Sequence, residues 1–212
     1  MTSVLYFHGF ASSPASAKIT ALRPLLEPHG IELNTPDLNV PSFERLDFDA
    51  MVEHALAASR ARPPRAMVGS SLGALVALAT ARRGLHVPLV LIAPAFGVAR
   101  RWQTRIPDGD PVTVFNFARS ADAQIHRAFY LQMASLSVDD APPPSRVTAI
   151  MGRKDETVPF AVVEETWQQW EASGALVPGS RLIVLEEGDH GLVSEAELIR
   201  DAIVDAASEE AS

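Results

Sequence analysis

Six short apolar runs, each closed by glycine, proline or a polar turn, alternate along the chain with stretches whose apolar residues recur every three or four positions. Val4 to Phe7 forms the first run and enters His8-Gly9-Phe10. A helix is expected from about Pro14 to Glu27, with Ile19, Leu22, Leu25 and Leu26 on one face, Ser13 as N-cap and Pro14 in the first turn. His29-Gly30 closes it, and a second strand, Ile31 to Asn34, ends at Pro36. The segment from about Phe48 to Ser59 reads as a helix, and Ala66 to Gly69 as the third strand, leading into the apolar run Leu72 to Leu78, a buried helix. Pro88 to Ala93 is the fourth strand. The rhythm then breaks over residues 95–145, with a Pro-Asp-Gly-Asp-Pro turn at 107–111, a helix around 121–136 and the triplet Pro142-Pro143-Pro144. It resumes with a strand from Arg146 to Met151, a helix from Phe160 to Ser173 and a strand from Arg181 to Leu185. The last helix begins at Ser194, where Glu197 completes a capping box and Val193 with Leu198 a hydrophobic staple.

Apolar strands alternating with amphipathic helices predict a parallel sheet covered on both faces, with functional groups at the carboxyl ends of the strands. The 212 residues are expected to form one domain, 1–212, interrupted by a small lid at about 95–145. A hydrophobic fraction of 47% with 21% charged residues suits a soluble chain, and no run approaches the eighteen or so apolar residues of a membrane span. The first residues enter a strand at once without a basic leader, so a cytoplasmic location is the expectation. No cysteine is present, which excludes a thiol nucleophile and a disulfide framework. A net charge of −8 argues against nucleic acid as partner and leaves small molecules.

The candidate chemistry lies in Gly69-Ser70-Ser71-Leu72-Gly73. A strand that reverses into a helix within two residues forces the residue at its apex into a strained conformation, with its side chain exposed above the sheet. Ser71 is at that apex, and Gly69 and Gly73 stand where any Cβ would meet folded backbone. The helix N-terminus behind Ser71 offers free N–H groups to developing negative charge. A serine hydroxyl needs a base, and the base a third group to orient it. Of six histidines, His29, His54, His86 and His126 read as surface or packing residues. His190, in Glu187-Gly188-Asp189-His190-Gly191 after the sixth strand, falls on the same rim as Ser71 and is the expected base. Asp155, four residues beyond Met151, is the expected acid, with Asp189 and Glu156 as rivals. The second oxyanion donor beside the Leu72 N–H is expected from Phe10, since Gly9 lets that loop come close, and His8 is read as shaping it. Asp37, Asp47, Asp49 and His54 are too scattered to form a metal site, and none is expected.

His8-Gly9-Phe10-Ala11-Ser12-Ser13-Pro14-Ala15-Ser16-Ala17-Lys18, together with the Gly-Ser-Ser-Leu-Gly turn, resembles the small bacterial YqiA-type esterases of the α/β-hydrolase superfamily. The resemblance spans 2–94 and 146–206. It implies a minimal, mostly parallel six-stranded α/β-hydrolase fold with the catalytic order Ser71, Asp155, His190, carboxylic-ester hydrolysis and no cofactor. The expected partner is a small ester, with short acyl chains favoured by a lid bearing Phe96, Trp102, Phe115, Phe117, Phe129 and Tyr130. Arg100, Arg101 and Arg105 either face solvent or bind an anionic substrate at the entrance. A thioesterase or a C–C bond hydrolase with the same triad, and a non-enzymatic ligand-binding protein of this fold, remain alternatives. A carboxylate-dependent dehalogenase is excluded by serine at 71.

Overall fold

The computed structural model describes residues 1–209. Six strands lie side by side: β1 (Thr2–Phe7), β2 (Ile31–Asn34), β3 (Ala66–Ser70), β4 (Leu89–Ile92), β7 (Val147–Gly152) and β8 (Arg181–Leu185). Their order is β2-β1-β3-β4-β7-β8 and every neighbouring pair is parallel. Parallel strands need helical crossovers, and these bury both faces. β1, β3, β4 and β7 are accordingly apolar and buried along almost their whole length. The helices are α1 (Ala17–Leu26), α2 (Phe48–Ala61), α3 (Leu72–Arg82), α4 (Val98–Gln103), α5 (Arg127–Ala134), α6 (Phe160–Ala172) and α7 (Ala196–Ser208). α1 packs on α7 and α2 on α3, as right-handed crossovers require once the chain reverses direction between β2 and β3. That reversal puts a switch point between β1 and β3, where the two outgoing loops diverge and leave a crevice.

α3 runs behind the switch point with Leu72 through Ala81 all buried, so a stretch without amphipathic periodicity forms a helix because both its sides meet protein. α1 buries Ile19, Leu22 and Leu26 completely, at about 1.5–3 kcal/mol for each such side chain. It is shorter than its sequence suggests. Ser13 and Pro14 stay in the preceding loop, where the Ser16 N–H donates to the Ser13 carbonyl at 3.1 Å, and Ser16 is the N-cap, accepting from the Ile19 N–H at 3.4 Å. Pro24 sits inside this helix.

The connection between β4 and β7 differs most from expectation. Residues 121–125 are not helical: β5 (Val112–Asn116) and β6 (Ala121–Ile125) pair as an antiparallel hairpin, and the helix starts only at Arg127. The Phe117 N–H donates to the Ala11 carbonyl at 2.9 Å and fixes the hairpin to the loop after β1. At the C-terminal end the capping box does not form. α7 begins at Ala196 with Glu195 as N-cap and no side-chain capping bond, while Val193 is exposed. No helix among the described residues is long and apolar enough to cross a membrane.

Candidate active site

The sharp turn at Ser71 follows from steric necessity. Ser71 has φ 55° and ψ −116°, a conformation L-residues avoid. A Cβ on Gly69 would lie 2.4 Å from the Gly73 carbonyl oxygen, and one on Gly73 would lie 2.1 Å from the Phe7 carbonyl oxygen. Neither position admits a side chain. The Ser71 N–H continues the ladder to the Ile92 carbonyl at 2.9 Å, and its carbonyl accepts from Ala74 and Ala95 at 3.0 and 3.2 Å. The apex is thus held on both sides. Three other non-glycine residues with positive φ, Ala11, Ala93 and Leu192, also follow strands of this sheet at their carboxyl ends. Strain is concentrated on this rim.

The loop after β1 lies against the turn. Phe7 pairs with Gly69 across the two strands, and a Cβ on Gly9 would stand 3.4 Å from Ser71 Cβ and 4.0 Å from its Oγ. His8 is buried, with Nδ1–H donating to the Gly9 carbonyl at 2.9 Å and Nε2 accepting from the Leu38 N–H at 3.0 Å. The ring ties β1's exit to the segment after β2, where Asp37 Oδ1 also lies 3.2 Å from Nε2. Among the described residues, no turn, cap or side chain takes up the N–H of Phe10 or Leu72.

On the other side, Gly152 ends β7 so close to the loop after β8 that a Cβ would meet the Gly188 carbonyl oxygen at 2.2 Å. The Lys154 N–H donates to that carbonyl at 3.0 Å, so the two loops are stitched together. The result is a 2.7 Å hydrogen bond from His190 Nδ1–H to Asp155 Oδ2. Asp155 Oδ1 accepts from the Thr157 and Val158 N–H groups, both at 2.8 Å. Burial resists ionisation of this carboxyl, but the His190 bond and the two backbone donors prevail and hold it below the usual carboxylate range. Asp189 is exposed and caps its own loop, accepting from the Leu192 N–H at 2.8 Å, and Glu156 is exposed.

Ser71 and His190 line one cavity of about 370 Å³, with His8, Gly9, Phe10 and Lys18 also in its wall. No hydrogen bond joins Ser71 Oγ to His190 among the described residues. A second cavity of about 410 Å³, bounded by α4, α5 and α6, contains Arg100, Asp139 and Glu165 but none of these groups. Of the six aromatic residues expected over the site, only Phe117 lines the cavity. Phe129 stacks on Phe10 and Trp102 meets Phe10 edge-on, both with centroids 5.9 Å apart, so these rings support the loop after β1 from behind. Phe96 packs into the core on Trp170. None of the three arginines lines the cavity: Arg100 pairs with Glu165 at 2.8 Å, Arg101 donates to the Thr157 carbonyl at 2.9 Å, and Arg105 lies exposed. The cation in the wall is Lys18, the last residue of the His8–Lys18 motif, for which the sequence suggested no role of its own. Its position four residues before Leu22, on the helix's apolar face, was the available signal.

The all-parallel sheet, the strained strand-to-helix turn and the rim of loops around it define the α/β-hydrolase fold. Solved structures of that fold are similar over nearly the whole chain. Est1E from Butyrivibrio proteoclasticus, with ferulic acid bound, is 16% identical at a TM-score of 0.78, covering 99% of this chain and 90% of its own. The mouse α/β-hydrolase domain-containing protein 10 is 20% identical at a TM-score of 0.76, covering 96% and 88%. The esterase domain from a Rhodothermus marinus protein is 16% identical at 0.72, covering 96% and 85%. The chain itself belongs to the family described as an uncharacterised protein family, UPF0227, whose model matches residues 3–204, the YqiA-type group to which its motifs pointed. No curated protein matches it in sequence.

Proposed function

We propose that the protein is a serine hydrolase of small carboxylic esters, with Ser71 as nucleophile, His190 as general base and Asp155 as its orienting acid. The observation that carries this reading is the 2.7 Å Asp155–His190 hydrogen bond beside a strained Ser71 on the same cavity. With Nδ1–H committed to Asp155, Nε2 is the free nitrogen. It takes the Ser71 proton as Oγ attacks the ester carbonyl, and contact between the two tightens when substrate is bound. The tetrahedral oxyanion forms against the free N–H groups of Phe10, in the loop after β1, and of Leu72, at the α3 N-terminus, and each such donor lowers the barrier by about 3–4 kcal/mol. His190 returns the proton to the leaving alcohol, and water repeats the cycle on the acyl-enzyme. The Rhodothermus domain, named an esterase, supports the choice of ester among the bonds such a triad cleaves. The segment 95–145 acts as a lid through its hairpin, which contributes Phe117.

A fluorophosphonate probe followed by peptide mapping tests the nucleophile without knowledge of the substrate. Labelling is expected on Ser71 and is lost in Ser71→Ala. Labelling of Ser70, or an unlabelled protein that still turns over esters, overturns the assignment.

A further inference from the structure

Lys18 is 9% exposed, yet it lines the Ser71 cavity. Its Nζ donates to Ser70 Oγ at 2.8 Å, a neutral hydroxyl, and no carboxylate forms an ion pair with it among the described residues. Two of its three N–H donors therefore lack a partner. A buried charge without a counter-ion is costly, and proteins normally pair it or replace it. The surrounding groups do neither. Tyr6 on β1 is fully buried and its hydroxyl faces Ser70 without a hydrogen bond of good geometry. Both ring nitrogens of His8 are engaged, by the Gly9 carbonyl, the Leu38 N–H and Asp37, and Asp155 is committed to His190. Asp189 caps its own loop, so it and Asp155 act on Lys18 only through the field. Burial lowers the Lys18 pKa to about 8, opposed by those two carboxylates, so the amine is still mostly charged near neutrality.

We propose that Lys18 is a specificity residue for esters carrying a second, anionic group, a carboxylate or a phosphate, within a short acyl chain's length of the scissile carbonyl. The inference rests on the hydrolase reading and names its substrate class: the missing counter-ion is supplied by the substrate. Ser70, through which Lys18 is anchored, immediately precedes the nucleophile, so an anion reaching Nζ lies close to an ester at Ser71. The hydroxyls of Ser12 and Ser16 line the same cavity and offer further donors. With an overall charge of −8, the protein repels anions at long range, which makes a buried cation at this point a local selector.

The test compares kcat/KM for monomethyl adipate, methyl 6-phosphonooxyhexanoate and neutral methyl hexanoate at pH 7. The wild type is expected to prefer at least one anionic ester tenfold or more, and Lys18→Met to lower that ratio at least tenfold, chiefly through KM. Which anionic ester leads separates carboxylate from phosphate. The preference should also decline above pH about 8, a change that a purely structural lysine would not produce. Equal use of neutral and anionic esters by the wild type, or an unchanged ratio in Lys18→Met, overturns the proposal. If Lys18→Met does not fold, the wild-type ratio and its pH dependence decide alone. If no ester is turned over, the hydrolase reading has failed. Calorimetric binding of adipate and of inorganic phosphate to wild type and Lys18→Met then decides the anion site: binding lost in the variant supports it, and no binding to the wild type overturns it.

Discussion

Asp155 does two separable things, and a single substitution exposes both. Asp155→Asn keeps the side chain's size but removes the charge that, in the proposed mechanism, orients His190 and compensates the imidazolium. It is expected to lower kcat by about 10³- to 10⁴-fold, whereas Asp189→Asn, which loosens only a loop cap, costs far less. The reverse order in steady-state kinetics would hand the acid role to Asp189. Because Asp155 is more acidic in the folded protein, its ionisation stabilises the fold above the unfolded carboxyl's pKa of about 3.9, and that contribution is lost as pH falls through the lower folded value. The wild type's stability advantage over Asp155→Asn should therefore shrink in acid denaturation below pH about 4. Lys18 gives the same sign of pH dependence from the opposite cause, because there the charged form is the disfavoured one. Its folded pKa of about 8 lies below the ordinary 10.5, so the unfolded chain binds the extra proton between those values and stability rises with pH there. Lys18→Met should be more stable than wild type at pH 7, by about 1–3 kcal/mol, with the gap narrowing by pH 9.5. A destabilised Lys18→Met at pH 7 would mean that the Ser70 bond outweighs the buried charge. The placement of Ser71, Asp155 and His190 on one rim was legible because turn chemistry and loop position mark them in the sequence. For Lys18 only its place on the apolar face of α1 was legible, because its anchoring to Ser70 is a tertiary contact 52 positions away in the chain.

Elements read from the sequence were accurate where one force dominated. Strands β2 and β8 begin and end where their apolar runs do, since turn residues close them. Helix starts failed where tertiary demands overrode a cap. Ser13-Pro14 is a sound N-terminus locally, but the loop after β1 must first pass the turn at Ser71, so α1 waits for Ser16. Ser194 fails as a cap because Asp189 binds the Leu192 N–H and holds the loop that carries His190, delaying α7 to Ala196. The hairpin was missed because Ala121-Asp122-Ala123-Gln124 has no strand signature of its own, and its register comes from the alternating Val112-Thr113-Val114-Phe115 opposite. The turn at Ser71 is the strictest element. Gly73→Ala drives a methyl to within 2.1 Å of backbone that cannot swing aside, so α3 must move off β1. The expected result is a loss of several degrees in Tm together with most of the activity, measured by thermal melts and ester turnover. An alanine variant of wild-type stability would contradict the close packing of the two elements.

At the scale of the whole molecule, the fold was legible because alternating strands and helices admit few topologies, while the roof of the site was not, because aromatic residues in 95–145 had three destinations. Phe96 entered the core, Phe129 and Trp102 went behind the loop after β1, and Phe117 alone reached the cavity. The cavity is about 370 Å³, near the lower end for small-molecule sites. Its wall is formed by loops, the first turn of α1 and one hairpin residue, and an acyl chain of about two to six carbons is the expected fit. Each methylene that finds room should gain about 0.8 kcal/mol, roughly fourfold in kcat/KM, until the cavity is full, after which overpacking reverses the gain. A series of p-nitrophenyl esters from acetate to palmitate measures this profile, with a maximum expected near butyrate to hexanoate. Removing the Phe117 ring should shift that maximum to longer chains, because the hairpin then leaves the cavity open on one side. If palmitate exceeds butyrate in the wild type, the hairpin must swing away from Ala11 in solution and open an extended groove, and the closed cavity would not be the form that binds substrate.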